Sequence, residues 1–210
     1  MTIGFPRKLV KARFIGLIWV SIFVFLFSWF GYYCIFKAIY TLKPYQELVF
    51  YFDTYKVIEK KPDQLKKILD SEELKEQGLI EVSYYSYDIY GEETPYLKDV
   101  APYIDFAVVP EFILDNYTGM ADDFLNVESL VDLPSQYEIG FNGYAVKIYS
   151  SKDENYNQNF VYSDWLTFQG STSTSSFYLL VTSYSKNFDK EKEHILGYTS
   201  LSLFLNDNLK

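Results

Sequence analysis

Cysteine and histidine are almost missing from this chain, with one of each in 210 residues. Cys34 therefore has no partner for an intramolecular disulfide, and zinc sites of His/Cys type or a Cys-His dyad lack their parts. A Ser-His-Asp triad would have to use His194, which stands in a charged run beside Glu193, and no G-x-S-x-G elbow accompanies it. His194 reads as an exposed surface histidine. The ten glycines are scattered, and neither G-x-x-x-x-G-K-S/T nor G-x-G-x-x-G occurs, so nucleotide chemistry has no support. Acidic residues are missing from the first 36 positions, and charge of either sign is missing from residues 14–36.

That last absence is the most informative. A helix of 23 uncharged residues, at about 1.5 Å per residue, crosses a hydrocarbon core of roughly 30 Å with some tilt. The basic residues Arg7, Lys8, Lys11 and Arg13 precede it, and Trp19, Trp29, Tyr32 and Tyr33 can meet the interfaces, so the amino terminus is expected in the cytoplasm. The run is longer than the apolar core of a cleaved signal peptide, and Trp29 to Tyr33 is too bulky for a cleavage site. Tyr32 and Tyr33 also stand where a lipidation site at Cys34 needs small residues, which leaves lipoprotein processing as the alternative to an uncleaved anchor. The expected organisation is a basic tail (1–13), a membrane helix (14–36), a connector (37–47) and an extracytoplasmic domain (48–210). The lipid bilayer is thus the first expected partner.

Residues 37–210 carry 15 basic and all 28 acidic residues, a net charge of −13. Binding to nucleic acid or anionic lipid relies on Lys and Arg, so this domain is not expected to contact nucleic acid. Its length suffices for one domain with its own core. Without disulfides, an extracytoplasmic domain of this kind fits a bacterium and relies on that core.

Residues 48–55 (LVFYFDTY) read as a buried strand. Lys61-Pro62-Asp63 opens a helix whose buried face holds Leu65, Ile68 and Leu69, extended by Leu74 and stopped at Gly78. Residues 79–87 (LIEVSYYSY) form the next strand. Thr94-Pro95 begins a second helix with Tyr96, Leu97 and Val100 at helical spacing, and residues 105–110 (DFAVVP) form a central strand. One or two helical turns follow at 111–117. This alternation predicts a largely parallel sheet. In the second half, residues 137–141 and 144–149 flank Asn142-Gly143, a strong hairpin signal. Residues 177–184 read as a strand, and 189–206 as a helix, although Leu201, Leu203 and Leu205 also alternate like a strand. The expected class is α/β: a three-layer domain with a mixed sheet behind an N-terminal transmembrane helix.

DFAVVPEFIL, closing the parallel half, and GFNGYAVKIYSS, forming the hairpin, resemble two places in type II extracellular solute-binding proteins. One is a D-h-h-h-h-P strand (h apolar) before a helix, matched by residues 105–110. The other is a tyrosine-bearing strand after the domain crossover, matched by residues 144–149. The resemblance spans residues 48–205 and is to short membrane-anchored bacterial proteins related to one lobe of such receptors. It implies a periplasmic-binding-protein-like fold and non-catalytic binding of a solute or partner, with no cofactor. Complete receptors have two lobes and a hinge, whereas this domain supplies one lobe, and no ligand-contact residue of the family maps onto this chain.

Open α/β sheets place ligands beyond the carboxyl ends of their strands, here near residues 86–90 and Glu111. Tyr87, Tyr90 and Glu111 are accordingly the candidate binding residues. Glu111 equally suits the positive end of a helix dipole, and the tyrosines equally suit ordinary strand surfaces. Asp153, Asn155, Asn157, Asn159 and Asp164 echo a calcium loop, but Gln158 replaces its turn glycine, so no metal is expected. Asn116-Tyr117-Thr118 is a glycosylation sequon, meaningful only in a eukaryotic secretory route. The alternatives to ligand binding are a structural or accessory subunit packed on a membrane protein, and a hydrolase using two facing carboxylates.

Overall fold

The computed structural model describes residues 7–40, 43–54, 58–88, 96–130, 135, 137–150, 176–188 and 195–206. Tyr90, Thr94-Pro95, His194 and the calcium-loop echo lie outside these residues. The chain divides into two units, residues 1–42 and 43–210.

The first unit holds α1 (Arg7–Tyr40), a single helix of 34 residues that begins and ends beyond the uncharged run. Within it, Ile15–Ile35 is long and apolar enough to cross a membrane. Leu17, Trp19, Val20 and Phe25, which point to different sides of the helix, are all exposed, so apolar side chains cover it all round rather than in one stripe. A helix apolar all round needs either a protein core or lipid around it.

The second unit is a six-stranded mixed sheet with helices on both faces. Strands β1 (Glu47–Thr54), β2 (Glu81–Asp88) and β3 (Phe106–Pro110) are mutually parallel, with β1 in the middle. Beyond β3 the sheet turns antiparallel through β6 (Ser176–Val181), β5 (Ala145–Ser150) and β4 (Ile139–Gly140), giving the order β2-β1-β3-β6-β5-β4. The expected parallel first half and antiparallel second half are both present.

The period of two along β1 sorts its side chains between two cores. Leu48, Phe50 and Phe52 face α2 (Asp63–Asp70), α3 (Glu72–Glu76) and the C-terminal α7 (Leu196–Asn206). There the Phe50 ring stacks on Phe106 at 4.6 Å and meets Phe204 at 5.4 Å. Each such ring, taken wholly out of water, contributes about 2–3 kcal/mol. Val49 and Tyr51 face the other way, toward Leu97 of α4 (Leu97–Val100) and Leu114 of α5 (Glu111–Asp115). A further turn, α6 (Met120–Asp123), and Phe124 close that second core.

Two local expectations are corrected. The helix opened by Pro62 does not run through to Leu74: Ser71, with φ −59° and ψ 122°, breaks it, and its hydroxyl accepts the Leu74 N–H at 3.4 Å to start α3. Gly78, at φ 104°, is the expected stop. The hairpin does not close through a two-residue Asn-Gly turn. Gly140 pairs with Ala145, so four residues form the loop, with Phe141, Asn142 and Gly143 all at positive φ. Gly143, at φ 94°, is packed so closely against Asn126 that a Cβ there would lie 2.6 Å from its amide nitrogen, so any other residue would be strained and would have to displace that side chain. The helix expected over residues 189–206 is present over Leu196–Asn206, its alternating leucines notwithstanding, with Leu201 and Leu205 in the core; residues 189–194 lie outside the described residues.

Asp105, first residue of the D-h-h-h-h-P pattern, is a structural acid. Its carboxylate accepts from the Val49 backbone N–H at 2.8 Å, from Asn187 Nδ2 at 2.9 Å and from the Ser185 hydroxyl, tying the start of β3 to β1 and to the turn after β6. Burial still pushes its pKa upward.

Candidate functional site

β1 carries one charged residue in its buried stretch. Asp53 follows Val49 and Tyr51 on the α4/α5 face, at the carboxyl end of the strand, and is only 2% exposed. The chain leaves β1 toward β2 over one face, through α2 and α3, and leaves β2 toward β3 over the other, through α4. Connections that depart to opposite faces leave a crevice between the strand ends, and such switch points are where open α/β sheets hold ligands.

A cavity of about 660 Å³ occupies that crevice. Its floor includes Asp53; one wall is the segment entering α4, Tyr96 to Asp99; the other is Phe112 and Ile113 of α5 with Asn116, Tyr117 and Thr118 after it. Tyr96 and Phe112 are exposed at its mouth. The volume lies within the range of small-molecule sites, roughly 300–1,000 Å³.

The walls are pinned from behind. Tyr117 donates its hydroxyl to Asp123 Oδ2 at 2.7 Å, while Tyr184 donates to Asp123 Oδ1 at 2.8 Å, so both oxygens of this buried carboxylate are satisfied. The Phe124 ring meets Tyr117 edge-on at 5.6 Å. Gly119, at φ 105°, makes the turn that brings Asp123 back under Tyr117. Burial and the Asp123 carboxylate both push the Tyr117 hydroxyl pKa upward. Asn116 Nδ2 bonds to the Phe112 carbonyl at 2.9 Å.

The floor is not satisfied in this way. Asp53 is hydrogen-bonded with the buried Tyr51 hydroxyl, but its Oδ1 is shut off from solvent and has no partner among the described residues. Burial pushes the Asp53 carboxyl up to about 7, against the opposing effect of the Tyr51 bond. The same burial, with the Asp53 charge, raises the Tyr51 hydroxyl well above the usual tyrosine range. A buried carboxylate with an unused acceptor is costly in a resting protein.

The expected site residues fall around this cavity rather than in it. Tyr87 is 37% exposed on β2, where it pairs in register with Asp53, and its ring lies 5.8 Å from that of Tyr51. Glu111 opens α5 and accepts from the Tyr178 hydroxyl at 3.4 Å, outside the lining. Tyr90 lies outside the described residues. Arg7, Lys8, Lys11 and Arg13 fall in the first two turns of α1, and Trp19 and Trp29 are exposed along it. Sequence reasoning found the end of the sheet but missed Asp53, Tyr96, Phe112 and Tyr117. The signal available for Asp53 was a lone carboxylate inside the apolar run LVFYFDTY. Among the described residues, no three His, Cys, Asp or Glu side chains gather as a metal site. Compared with known protein families, with curated proteins and with solved structures, the chain matches none.

Proposed function

We propose that this chain is a single-pass membrane protein whose C-terminal domain, held on the extracytoplasmic side, binds a small ligand in the Asp53 cavity without transforming it. The carrying observation is the cavity itself: about 660 Å³, at the switch point of the sheet, lined by Asp53 and by the rings of Tyr96, Phe112 and Tyr117. The anchor is the apolar stretch Ile15–Ile35, and the four basic residues before it favour a cytoplasmic amino terminus. A parallel half-sheet with a cavity at its carboxyl ends, continued by an antiparallel half, supports the reading of a solute-binding-protein-like lobe. An accessory subunit would call for a flat apolar patch in place of a cavity. A hydrolase would call for two carboxylates facing each other across the cleft, whereas Asp53 is buried and Asp99 is exposed.

The test is thermal melting of the full chain in an uncharged detergent against sugars, peptides, amino acids, amines and calcium. A ligand that binds only the folded state raises the melting temperature, by a stabilisation of about 2.7 kcal/mol at a hundred times its Kd. A concentration-dependent rise with one class supports a receptor. A cooperative melt that no class shifts would overturn ligand binding and favour the accessory role.

A further inference from the structure

We propose that the cavity binds a neutral saccharide, one sugar ring lying against Tyr96 and Phe112 while its hydroxyls meet Asp99, Asn116 and Thr118. This names the ligand class of the binding reading above and rests on it. Three observations converge. Each of these five residues lines the cavity and is exposed, so a ligand entering from solvent reaches them directly. Asp53 Oδ1, by contrast, is closed to solvent, and selection falls to the walls. At the mouth, Tyr96 is 81% and Phe112 42% exposed, two large ring faces standing in water. A partner with a flat C–H face removes that apolar area from water. Beside the rings stand groups of the kind that pair with hydroxyls. Asn116 Nδ2 is committed to the Phe112 carbonyl at 2.9 Å, which orients the amide and offers Oδ1 as an acceptor. Asp99 adds two acceptor oxygens, and the Thr118 hydroxyl can donate or accept.

Other ligand chemistries fit less well. The exposed charges of the lining oppose each other, Lys98 against Asp99, so neither an anion nor a cation finds a site of one sign. An anion is also repelled by the strongly acidic domain. An apolar ligand would cover the rings but strip water from Asp99, Asn116 and Thr118 without replacing its hydrogen bonds. An open-chain polyol has the hydroxyls but no flat face for the rings. A sugar ring, apolar on its faces and polar round its edge, meets both kinds of wall.

The experiment is isothermal calorimetry of the full chain in a polyoxyethylene detergent, which has no sugar headgroup. The probes are glucose, galactose, mannose, N-acetylglucosamine, maltose, cellobiose, lactose and chitobiose, with sorbitol as the open-chain control and benzyl alcohol as the apolar one. At least one sugar should bind, and at least about tenfold more tightly than either control. Its affinity should change less than about twofold between about 50 and 500 mM salt, as expected for an uncharged ligand. Tyr96→Ala and Phe112→Ala, each confirmed as folded by its own melt, should weaken it about tenfold, the worth of one good ring contact. Tyr103→Ala is the matched control: Tyr103 is 77% exposed, follows α4 as Tyr96 precedes it, and lies outside the lining, so affinity should change less than about twofold. Failure of every sugar to bind, equal binding of sorbitol, full affinity in both Tyr96→Ala and Phe112→Ala, or an equal loss in Tyr103→Ala would each overturn the saccharide assignment. If the sugars fail while another class shifts the melt, the receptor reading stands and only the ligand class is wrong; if no class shifts it, both fall.

Discussion

Replacing Asp53 by Asn should stabilise the protein, and the gain should grow with pH. The carboxyl is buried, lacks a partner for Oδ1 and is pushed up to about 7 in the fold, whereas in the unfolded chain it ionises near 3.8. A folded-state pKa above the unfolded one means that the folded protein holds the proton longer, so stability is greatest below the unfolded value and is lost as pH rises through the folded one. With 1.36 kcal/mol per unit, the loss is about 1.7 kcal/mol at pH 5 and about 4 kcal/mol at pH 8. Asn has nearly the same shape and never ionises. Its own unpaired N–H groups cost the same at every pH, so the informative quantity is the difference between the two conditions, about 2.5 kcal/mol in favour of the variant. For a domain of this size that is roughly 5–10 °C in melting temperature. The assay is parallel melting of wild type and Asp53→Asn, full length in detergent, in amine-free buffer across pH 5 to 8. A melting difference that stays flat across this range would refute the reasoning, because it would mean that Asp53 titrates alike in the folded and unfolded states.

The remaining predictions concern the frame of the site. Asp105→Ala removes the acceptor for Val49 N–H, Ser185 and Asn187 at once, leaving buried donors unpaired. It should cost about 3 kcal/mol or more in denaturant titration, and Asp105→Asn should recover part of this. Gly197→Ala would place a methyl 2.5 Å from the Phe188 ring, and should destabilise by about 1–3 kcal/mol; pairing it with Phe188→Leu should restore part of the loss, a double-mutant coupling readable in the same titration.

How much of this was legible in the sequence follows from which interactions are local. The strands β1 and β3 announced themselves because a strand buried between two helical layers must be apolar on both faces, and LVFYF and FAVVP are. The Pro62 start and the Gly78 stop are determined by single residues with restricted or permissive backbones. The break at Ser71 was hidden because DQLKKILDSEELKE keeps helical spacing across it; a serine that caps the next helix looks, in one dimension, like a serine inside a helix. The four-residue turn at 141–144 was hidden for a different reason. Asn142-Gly143 has the local preference for a two-residue hairpin, but Gly143 is pressed against Asn126, seventeen positions earlier, whose amide also donates to the Asn142 carbonyl, and these long-range contacts go with the wider loop.

The site shows the same division. That a ligand should sit beyond the carboxyl ends of β1 and β3 follows from chain order alone, because parallel strands joined over opposite faces leave their crevice there. Which side chains line it depends on the path of the segments around α4 and α5, and nothing in EFILDNYTG distinguishes Phe112 and Tyr117, which reach the cavity, from Glu111, which meets Tyr178 instead. Asp53 stands between these cases. Its position on the inner face is fixed by the alternation that places Val49 and Tyr51 there, and a carboxylate at such a position has only three ways to exist: paired, protonated or awaiting a ligand. Asp105 shows the first way, with three donors around it. Asp53, with the same burial and an oxygen left over, is driven toward the second, because burial pushes its carboxyl up to about 7. A charge inside an apolar strand is therefore a question that the neighbouring elements answer, and the two aspartates of this sheet give it two answers: three donors around Asp105, and an oxygen without a partner on Asp53.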